Sequence, residues 1–373
     1  MTDFQEIKRK SVTGVLALTT RTAFLQIISV VGNFFLTIFL APEEIGVYFL
    51  VSAIVVFLNY FSDVGLAAAL VQKDKVTKED IASTFTIQQI FVIGFSAVAL
   101  LFSDTIVSFY HLGADGKFLY QALVVAFILS SLKTIPSILL ERKLDFQKLV
   151  IPQHFEVITF YGIAVYLAYI EWGVASFSLA VIARGVVGTV IIYCIQPWMP
   201  RIHIDRGSLK KLLSFGLPFQ LNSFLALVKD DLFTLYLGRA LPLTYVGYIG
   251  WAKKWSELPL RLIMDSIVRV TFPTYSRLQG SPEKLSKGIN KTIFFIMLFI
   301  IPISIGMVAV IEPFIHVIPK YEKWDPAIFS FYLFVVSSAI AALSTPLVNA
   351  LNAVGKIKIT LQLMAICTWF TWG

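Results

Sequence analysis

The run Ile293-Phe294-Phe295-Ile296-Met297-Leu298-Phe299-Ile300-Ile301 continues through Pro302, Ser304 and Gly306 to Ile311 without one charged side chain. An α-helix rises about 1.5 Å per residue, so roughly 20 apolar residues cross about 30 Å of hydrocarbon. The run shows no period-2 alternation, which favours a helix over a barrel strand. Working outward, the same kind of run recurs along the chain. Spans are expected near 12–40, 46–70, 81–103, 118–140, 151–171, 174–197, 212–238, 245–270, 292–312 and 326–350, and an eleventh begins at 359–373. The expected fold is therefore an all-α, polytopic membrane helical bundle. Lys8, Arg9 and Lys10 resemble the start of a cleavable signal, but the apolar run that follows is too long, holds Arg21 and lacks a small-residue cleavage site.

Composition agrees. Hydrophobic residues make up 57% of the 373 positions and charged residues only 14%, with a mean hydropathy of +0.78. Soluble domains carry about 25% charged residues, so a soluble enzyme and a disordered chain are both excluded. The net charge of +8 does not point to nucleic acid, because the placement of the cations matters more than their number. Cys194 and Cys367 both sit in apolar runs, which speaks against a disulfide scaffold or a thiolate metal site.

Lys and Arg segregate by loop. One side of the bundle collects 19 of the 31, in the N-terminal tail, 71–80, 141–150, 201–211, 271–291 and 352–358. The other side holds Lys117, Arg239, Lys320 and Lys323, and 8 fall within spans. The positive-inside rule places the N-terminus in the cytoplasm. The outer loops are too short for a soluble domain.

An internal repeat is visible. Phe35 to Pro42 followed by Gly46-Val47-Tyr48 resembles Phe233 to Gly238 followed by Gly247-Tyr248, at an offset of 201. Pro136 with Lys148 matches Pro346 with Lys358 at an offset of 210. Parallel repeats of this kind are a transporter architecture. They divide the chain into a six-helix lobe over 1–205 and a second lobe over 206–373, which stops within span 11 and reads as truncated.

The spans contain 14 ionisable residues, among them Arg21, Asp63, Lys133, Glu156, Arg184, Lys229, Asp230, Asp231, Lys253 and Lys254. At roughly 2.5–3.5 kcal/mol each, exposing all of them to lipid would cost on the order of 40 kcal/mol, more than a domain's whole stability. Most must face a bundle interior or water. Residues equally far from a connecting loop sit at equal depth, which pairs Arg21 with Asp63, Lys133 with Glu156, and Asp230 with Lys253. Such pairs are either packing struts or gates. Lys253, Glu257, Arg261, Asp265 and Arg269 recur every four residues with alternating sign, either lining a hydrated cavity or forming a packed seam, with a bend at Pro259. Arg184 lies level with Phe160, so it needs an acid from a non-adjacent span or an anionic ligand. Arg184, Arg261, Lys229, Lys253, Lys254 and Arg21 are thus the candidate substrate contacts. Asp63, Glu257, Asp265, Asp230, Lys133 and Glu156 are the candidates for gating or ion coupling. His154, near a span end with Pro152, reads as a surface or packing residue rather than a proton-coupling one.

No P-loop, HExxH or GxSxG motif occurs, and the histidines and cysteines have no metal-ligand spacing. No cofactor, metal or catalytic group is expected, and secondary transport fits better than an ATP-driven pump or an enzyme.

Several segments also resemble a known family. They are Ser62-Asp63-Val64-Gly65-Leu66-Ala67 with Val71-Gln72-Lys73, Leu140-Glu141-Arg142-Lys143-Leu144-Asp145-Phe146, Ile267 to Pro273 with Glu283-Lys284-Leu285, and Glu322-Lys323-Trp324. In this order they resemble the Wzx-type oligosaccharide flippases, in the polysaccharide-exporter branch of the MOP superfamily, and most closely the colanic-acid and teichuronic-acid exporters. The resemblance implies two six-helix lobes around a central cavity. It also implies transfer of undecaprenyl-pyrophosphate-linked oligosaccharide repeat units from the cytoplasmic to the periplasmic leaflet of a bacterial inner membrane. Expected partners are that lipid-linked glycan, membrane lipids, a glycan polymerase and a chain-length regulator, and no nucleic acid. The alternative is a MATE-type cation-coupled multidrug exporter, which would favour acidic cavity residues, whereas the span charges sum to +2. A membrane glycan polymerase or ligase would call for a larger outer loop.

Overall fold

The computed structural model describes residues 25–372 apart from 64, 74, 75, 144, 211, 215, 217–219 and 221–230; for 61–63, 265, 266, 268–270, 272, 273, 276, 277, 357, 358, 371 and 372 only the backbone is described. Among the described residues, seven helices are long and apolar enough to cross a membrane: Pro42–Tyr60, Lys78–Leu101, Gly113–Arg142, Phe146–Tyr169, Ala175–Ile195, Pro282–Val317 and Glu322–Ala353. Shorter apolar helices cover Leu25–Phe39 and Ile359–Phe370. The chain is a multi-pass membrane protein, and each of these helices falls on an expected span.

In chain order the elements are α1 (Leu25–Phe39), α2 (Pro42–Asp63), α3 (Leu66–Gln72), α4 (Lys78–Leu101), α5 (Ser103–Phe109), α6 (Gly113–Leu132), α7 (Thr134–Arg142), α8 (Phe146–Tyr169) and α9 (Ala175–Ile195). There follow α10 (Phe233–Ala240), α11 (Leu243–Ser256), α12 (Leu258–Leu278), α13 (Pro282–Val317), a 3-10 turn at Glu322–Ala327, α14 (Ile328–Ala353) and α15 (Ile357–Trp372). Contacts group 47–241 with the first 40 residues into one compact unit, and 242–373 with 41–46 into another.

In the first unit α8 lies along α9, and α9 along α6. Small residues let them approach, as is usual between membrane helices. Gly185 faces Leu129 of α6, and Gly188 faces Glu156 of α8. The expected span 118–140 is interrupted. Lys133 caps the end of α6, and its N–H turns back to the Ser130 carbonyl at 3.2 Å. Pro136 has no N–H to give to the Leu132 carbonyl four residues earlier. Both orphaned carbonyls are met by α9: Thr189 donates to Leu129 O at 3.1 Å and Tyr193 to Leu132 O at 3.2 Å. The break is therefore satisfied by its neighbour, and it leaves Lys133 on a kink.

At the end of this unit rich in Lys and Arg, two of the family-like segments meet. Arg142 donates to the carbonyls of Leu70, Val71 and Lys73 at 2.7, 3.0 and 2.6 Å, closing the C-terminus of α3. Asp80, buried at the start of α4, pairs with Lys73 at 2.6 Å and completes a capping box with Thr77. The strap 201–205 is tied to α4 through Asp205 N to Ser83 Oγ at 2.8 Å and His203 N to Thr86 Oγ1 at 3.0 Å.

In the second unit α14 packs on α11, α12 and α13. The 3-10 turn folds under α11, where Trp324 stacks on Trp251 at 5.3 Å and the Trp251 indole N–H donates to Tyr321 Oη at 3.1 Å. The first turn of α2 crosses the first turn of α11. A methyl group built on Gly46 would overlap the Leu243 carbonyl oxygen, and one on Gly247 would overlap that of Pro42. Residues 42 and 46 thus meet 243 and 247 reciprocally.

One span departs from expectation. Residues 245–270 divide into α11 and α12 at Glu257 in place of one uninterrupted helix, and the lower part of the charged row, at Asp265 and Arg269, lies outside the described side chains. Pro259 stands in the first turn of α12, where its missing N–H is tolerated, and helical hydrogen bonds still flank the junction, from Glu257 N to Lys253 O at 3.1 Å and from Arg261 N to Glu257 O at 3.0 Å.

Candidate functional site

The kink at Lys133, the middle of α8 and the middle of α9 converge. Lys133 Nζ lies 2.6 Å from Glu156 Oε1, and Arg184 Nε lies 3.6 Å from Glu156 Oε2. Glu156 is 10% exposed, Lys133 19% and Arg184 46%. Two cations share one carboxylate, so the cluster carries a net charge of +1. Gly188, one turn beyond Arg184, creates the space for that carboxylate, since a methyl group there would overlap it. A buried ion is tolerated in hydrocarbon only when paired or hydrated, and here one acid serves two cations that both line a cavity.

That cavity has a volume of about 160 Å³ and is lined by Lys133, Arg184, Asn59, Ser130 and Tyr48 together with apolar side chains. Tyr48 stacks on Phe177 at 4.1 Å, which fixes one wall. The Arg184 guanidinium stands 5.9 Å over the Phe160 ring. Its partly exposed guanidinium faces water or a ligand, whereas Lys133 is held closely by the acid. Such a pocket suits an anion that can accept hydrogen bonds from a planar guanidinium and an ammonium together.

The structure brings together Lys133, Glu156 and Arg184 from the expected residues. It also brings Glu257 and Arg261 together, at 2.8 Å across the α11–α12 break, with Arg261 66% exposed. Lys253 is half-buried and Lys254 exposed, both in the last turn of α11. Arg21, Lys229 and Asp230 lie outside the described residues, as do the side chains of Asp63, Asp265 and Arg269. His154 Nδ1 sits 2.9 Å from the Val150 carbonyl one turn back on its own helix.

Of the two partners expected for Arg184, an acid from a non-adjacent span or an anionic ligand, the first is corrected, because its acid, Glu156, stands on the adjacent helix α8. Depth matching was right about Phe160, which does lie beside the guanidinium. Glu156 is one helical turn away, about 6 Å along the axis, and a long arginine side chain bridges that distance. Asn59, Ser130, Tyr48 and Gly188 were not singled out from the sequence. Asn59 stands four residues before Asp63 and so shares its helix face, which was the available signal.

Residues 35–329 match a protein family described as Polysaccharide biosynthesis protein. The chain is 23% identical over 328 residues to an uncharacterized membrane protein in the cps region of Klebsiella pneumoniae, covering 87% of this chain and 67% of that one. It is 23% identical over 313 residues to the teichuronic acid biosynthesis protein TuaB of Bacillus subtilis (strain 168), covering 81% and 62%. It is 21% identical over 323 residues to the lipopolysaccharide biosynthesis protein WzxC of Escherichia coli (strain K12), covering 86% and 65%. The chain spans about two thirds of the length of these curated relatives. Its fold matches that of the lipid II flippase MurJ in an inward closed conformation, with a TM-score of 0.72 at 15% identity over 91% of this chain and 76% of that one. It also matches an inward-facing multidrug resistance MATE family transporter of the MOP superfamily, with a TM-score of 0.70 at 14% identity over 95% and 88%. At such identities the likeness is one of fold.

Proposed function

Because the chain belongs to the family of polysaccharide biosynthesis proteins, we propose that it is a flippase for undecaprenyl-pyrophosphate-linked oligosaccharide repeat units. It moves them from the cytoplasmic to the periplasmic leaflet of a bacterial inner membrane by alternating access, and it makes or breaks no covalent bond. In this reading the lobes are residues 1–205 and 206–373, and the N-terminus is cytoplasmic, as the distribution of Lys and Arg supports. A glycan polymerase and a chain-length regulator are its downstream partners.

The observation that carries the proposal is the cavity lined by Lys133 and Arg184, two cations that share the single acid Glu156 behind them. A pyrophosphate headgroup is a multivalent anion that must leave water to cross the bilayer, and a fixed pair of cations in a recess offsets that desolvation. The polyprenyl tail needs no protein seat, since hydrocarbon already solvates it. Arg261, Lys253, Lys254, Lys229 and Arg21 extend the cationic path, and Asp63, Glu257, Asp265 and Asp230 serve as gating or coupling acids.

Deleting the gene from its host is expected to stop surface glycan display and to leave lipid-linked repeat units in the inner leaflet, read by glycan staining and by mass spectrometry of extracted lipids. Undiminished display would refute the proposal. The second reading, a MATE-type multidrug exporter, is favoured by the fold match alone. It predicts dye efflux from cells expressing the chain, and a cavity with two cations to one acid is poorly suited to organic cations.

A further inference from the structure

The two ion pairs of Glu156 are unequal. Its Oε1 is close to Lys133 at 2.6 Å, well within a charge-assisted hydrogen bond. Its Oε2 is 3.6 Å from Arg184 Nε, beyond hydrogen-bond range, although the two charges still attract. Lys133 is the less exposed cation and sits on a helix break whose freed carbonyls are already satisfied by Thr189 and Tyr193. Arg184 is the more exposed, reaches into the cavity, and has no other ion pair among the described residues. The carboxylate is seated against Gly188, where an added Cβ would overlap it.

We infer that Glu156 is the cavity's resident counter-anion, which a phosphate-bearing headgroup displaces from Arg184 while the carboxylate stays on Lys133. The inference rests on the flippase reading above and names the step by which that site would load and unload. Without a resident anion, Arg184 would bind a phosphate tightly and be left bare in a low-dielectric recess when the phosphate left, so release would be slow. With Glu156 waiting beside it, loading exchanges one anion for another on the same guanidinium, and unloading reverses the exchange. Neither end state leaves Arg184 without an anion beside it. A transporter needs this balance, because a ligand held equally tightly on both sides of the membrane is not delivered. Glu156 is thus a positioning residue that weakens binding so that turnover is possible.

The distinguishing consequence is a sign. A carboxylate that merely braces three helices would weaken ligand binding when removed, whereas a competing anion strengthens it. The test uses the full chain in phosphatidylcholine nanodiscs, titrated with farnesyl pyrophosphate, inorganic pyrophosphate or farnesol and followed by calorimetry. Glu156→Gln is expected to tighten the dissociation constant for farnesyl pyrophosphate at least tenfold, or about 1.4 kcal/mol. Gly188→Ala changes no charge but pushes the carboxylate off its seat, and is expected to act in the same direction by about threefold, or about 0.6 kcal/mol. In cells, both variants are expected to export less glycan despite binding more tightly. Wild-type binding that both variants leave unchanged or weaken overturns the role assigned to Glu156 and leaves the flippase reading standing. Inorganic pyrophosphate matching farnesyl pyrophosphate in all three proteins keeps the exchange but assigns it to a soluble anion, which sinks the flippase reading instead. No binding by any of the three overturns both.

Discussion

Alanine substitution tests how tightly the first turns of α2 and α11 are packed on one another. A methyl group on Gly46 meets the Leu243 carbonyl oxygen, and one on Gly247 meets that of Pro42. Both obstacles are backbone, so no rotamer change relieves them. A Cα-type carbon needs about 3.3 Å from a carbonyl oxygen, so the helices must part by on the order of 1 Å. A gap of that size forfeits about a quarter to a half of the dispersion energy of the contacts that line it. Gly46→Ala and Gly247→Ala are each expected to cost ~1–3 kcal/mol, the usual range for overpacking. The two sites share one crossing, so the separation forced by the first methyl also accommodates the second. The double variant should then cost little more than either single one, a coupling of about 1–2 kcal/mol. Reversible unfolding in mixed micelles, followed by tryptophan fluorescence, gives the required free energies. Gly306→Ala in α13, where nothing lies within 4 Å of the added carbon, is the control and should be close to neutral. Two independent costs that add, or single variants as stable as the control, would refute the reciprocal crossing.

The helix break beneath Lys133 makes a similar cycle. Tyr193→Phe should cost ~1 kcal/mol in the wild-type background, the net worth of its bond to the Leu132 carbonyl. It should cost almost nothing after Pro136→Ala, which returns an N–H to that carbonyl, and equal costs in both backgrounds would show that the break has another cause. On the strap, the Ser208 backbone N–H, donating to Asp205 at 2.6 Å, holds the Asp205 carboxyl below the usual carboxylate range. A folded-state pKa that is depressed stabilises the fold above the unfolded value near 3.9 and ceases to do so as the pH falls through the lower folded value. Asp205→Ala should therefore melt lower than wild type at neutral pH, with the gap closing below about pH 4, and a gap that persists unchanged in acid would exclude the carboxylate as its source.

How far the sequence revealed this arrangement depended on what each inference had to measure. Counting residues outward from a loop succeeded for Lys133 and Glu156 because α7 and α8 are joined by only a few residues, from Lys143 to Asp145, and antiparallel helices then climb at the same rate. The same count misjudged Arg184. It ranked backbones by depth, whereas a guanidinium on a long stem reaches a full turn up or down and found Glu156 instead of stopping at Phe160. Span existence was legible because hydropathy integrates over some 20 residues, which averages out local detail. The breaks at Lys133 and Glu257 were not, because a proline alone does not choose between bending and restarting a helix. The outcome depends on whether a neighbour can satisfy the freed carbonyls, as Thr189 and Tyr193 do. Gly188 shows the deeper reason for the gap between pattern and site. In an aqueous helix, periodicity separates a buried face from a wet one, but the apolar residues of α9 lie on every side of it and that signal vanishes. A glycine in such a helix is indistinguishable in sequence from any other small packing residue, and only its distance to the Glu156 carboxylate reveals that it holds the charge in place. The sequence therefore identifies the charges that must be accommodated, while the missing side chains that accommodate them emerge only from the packing.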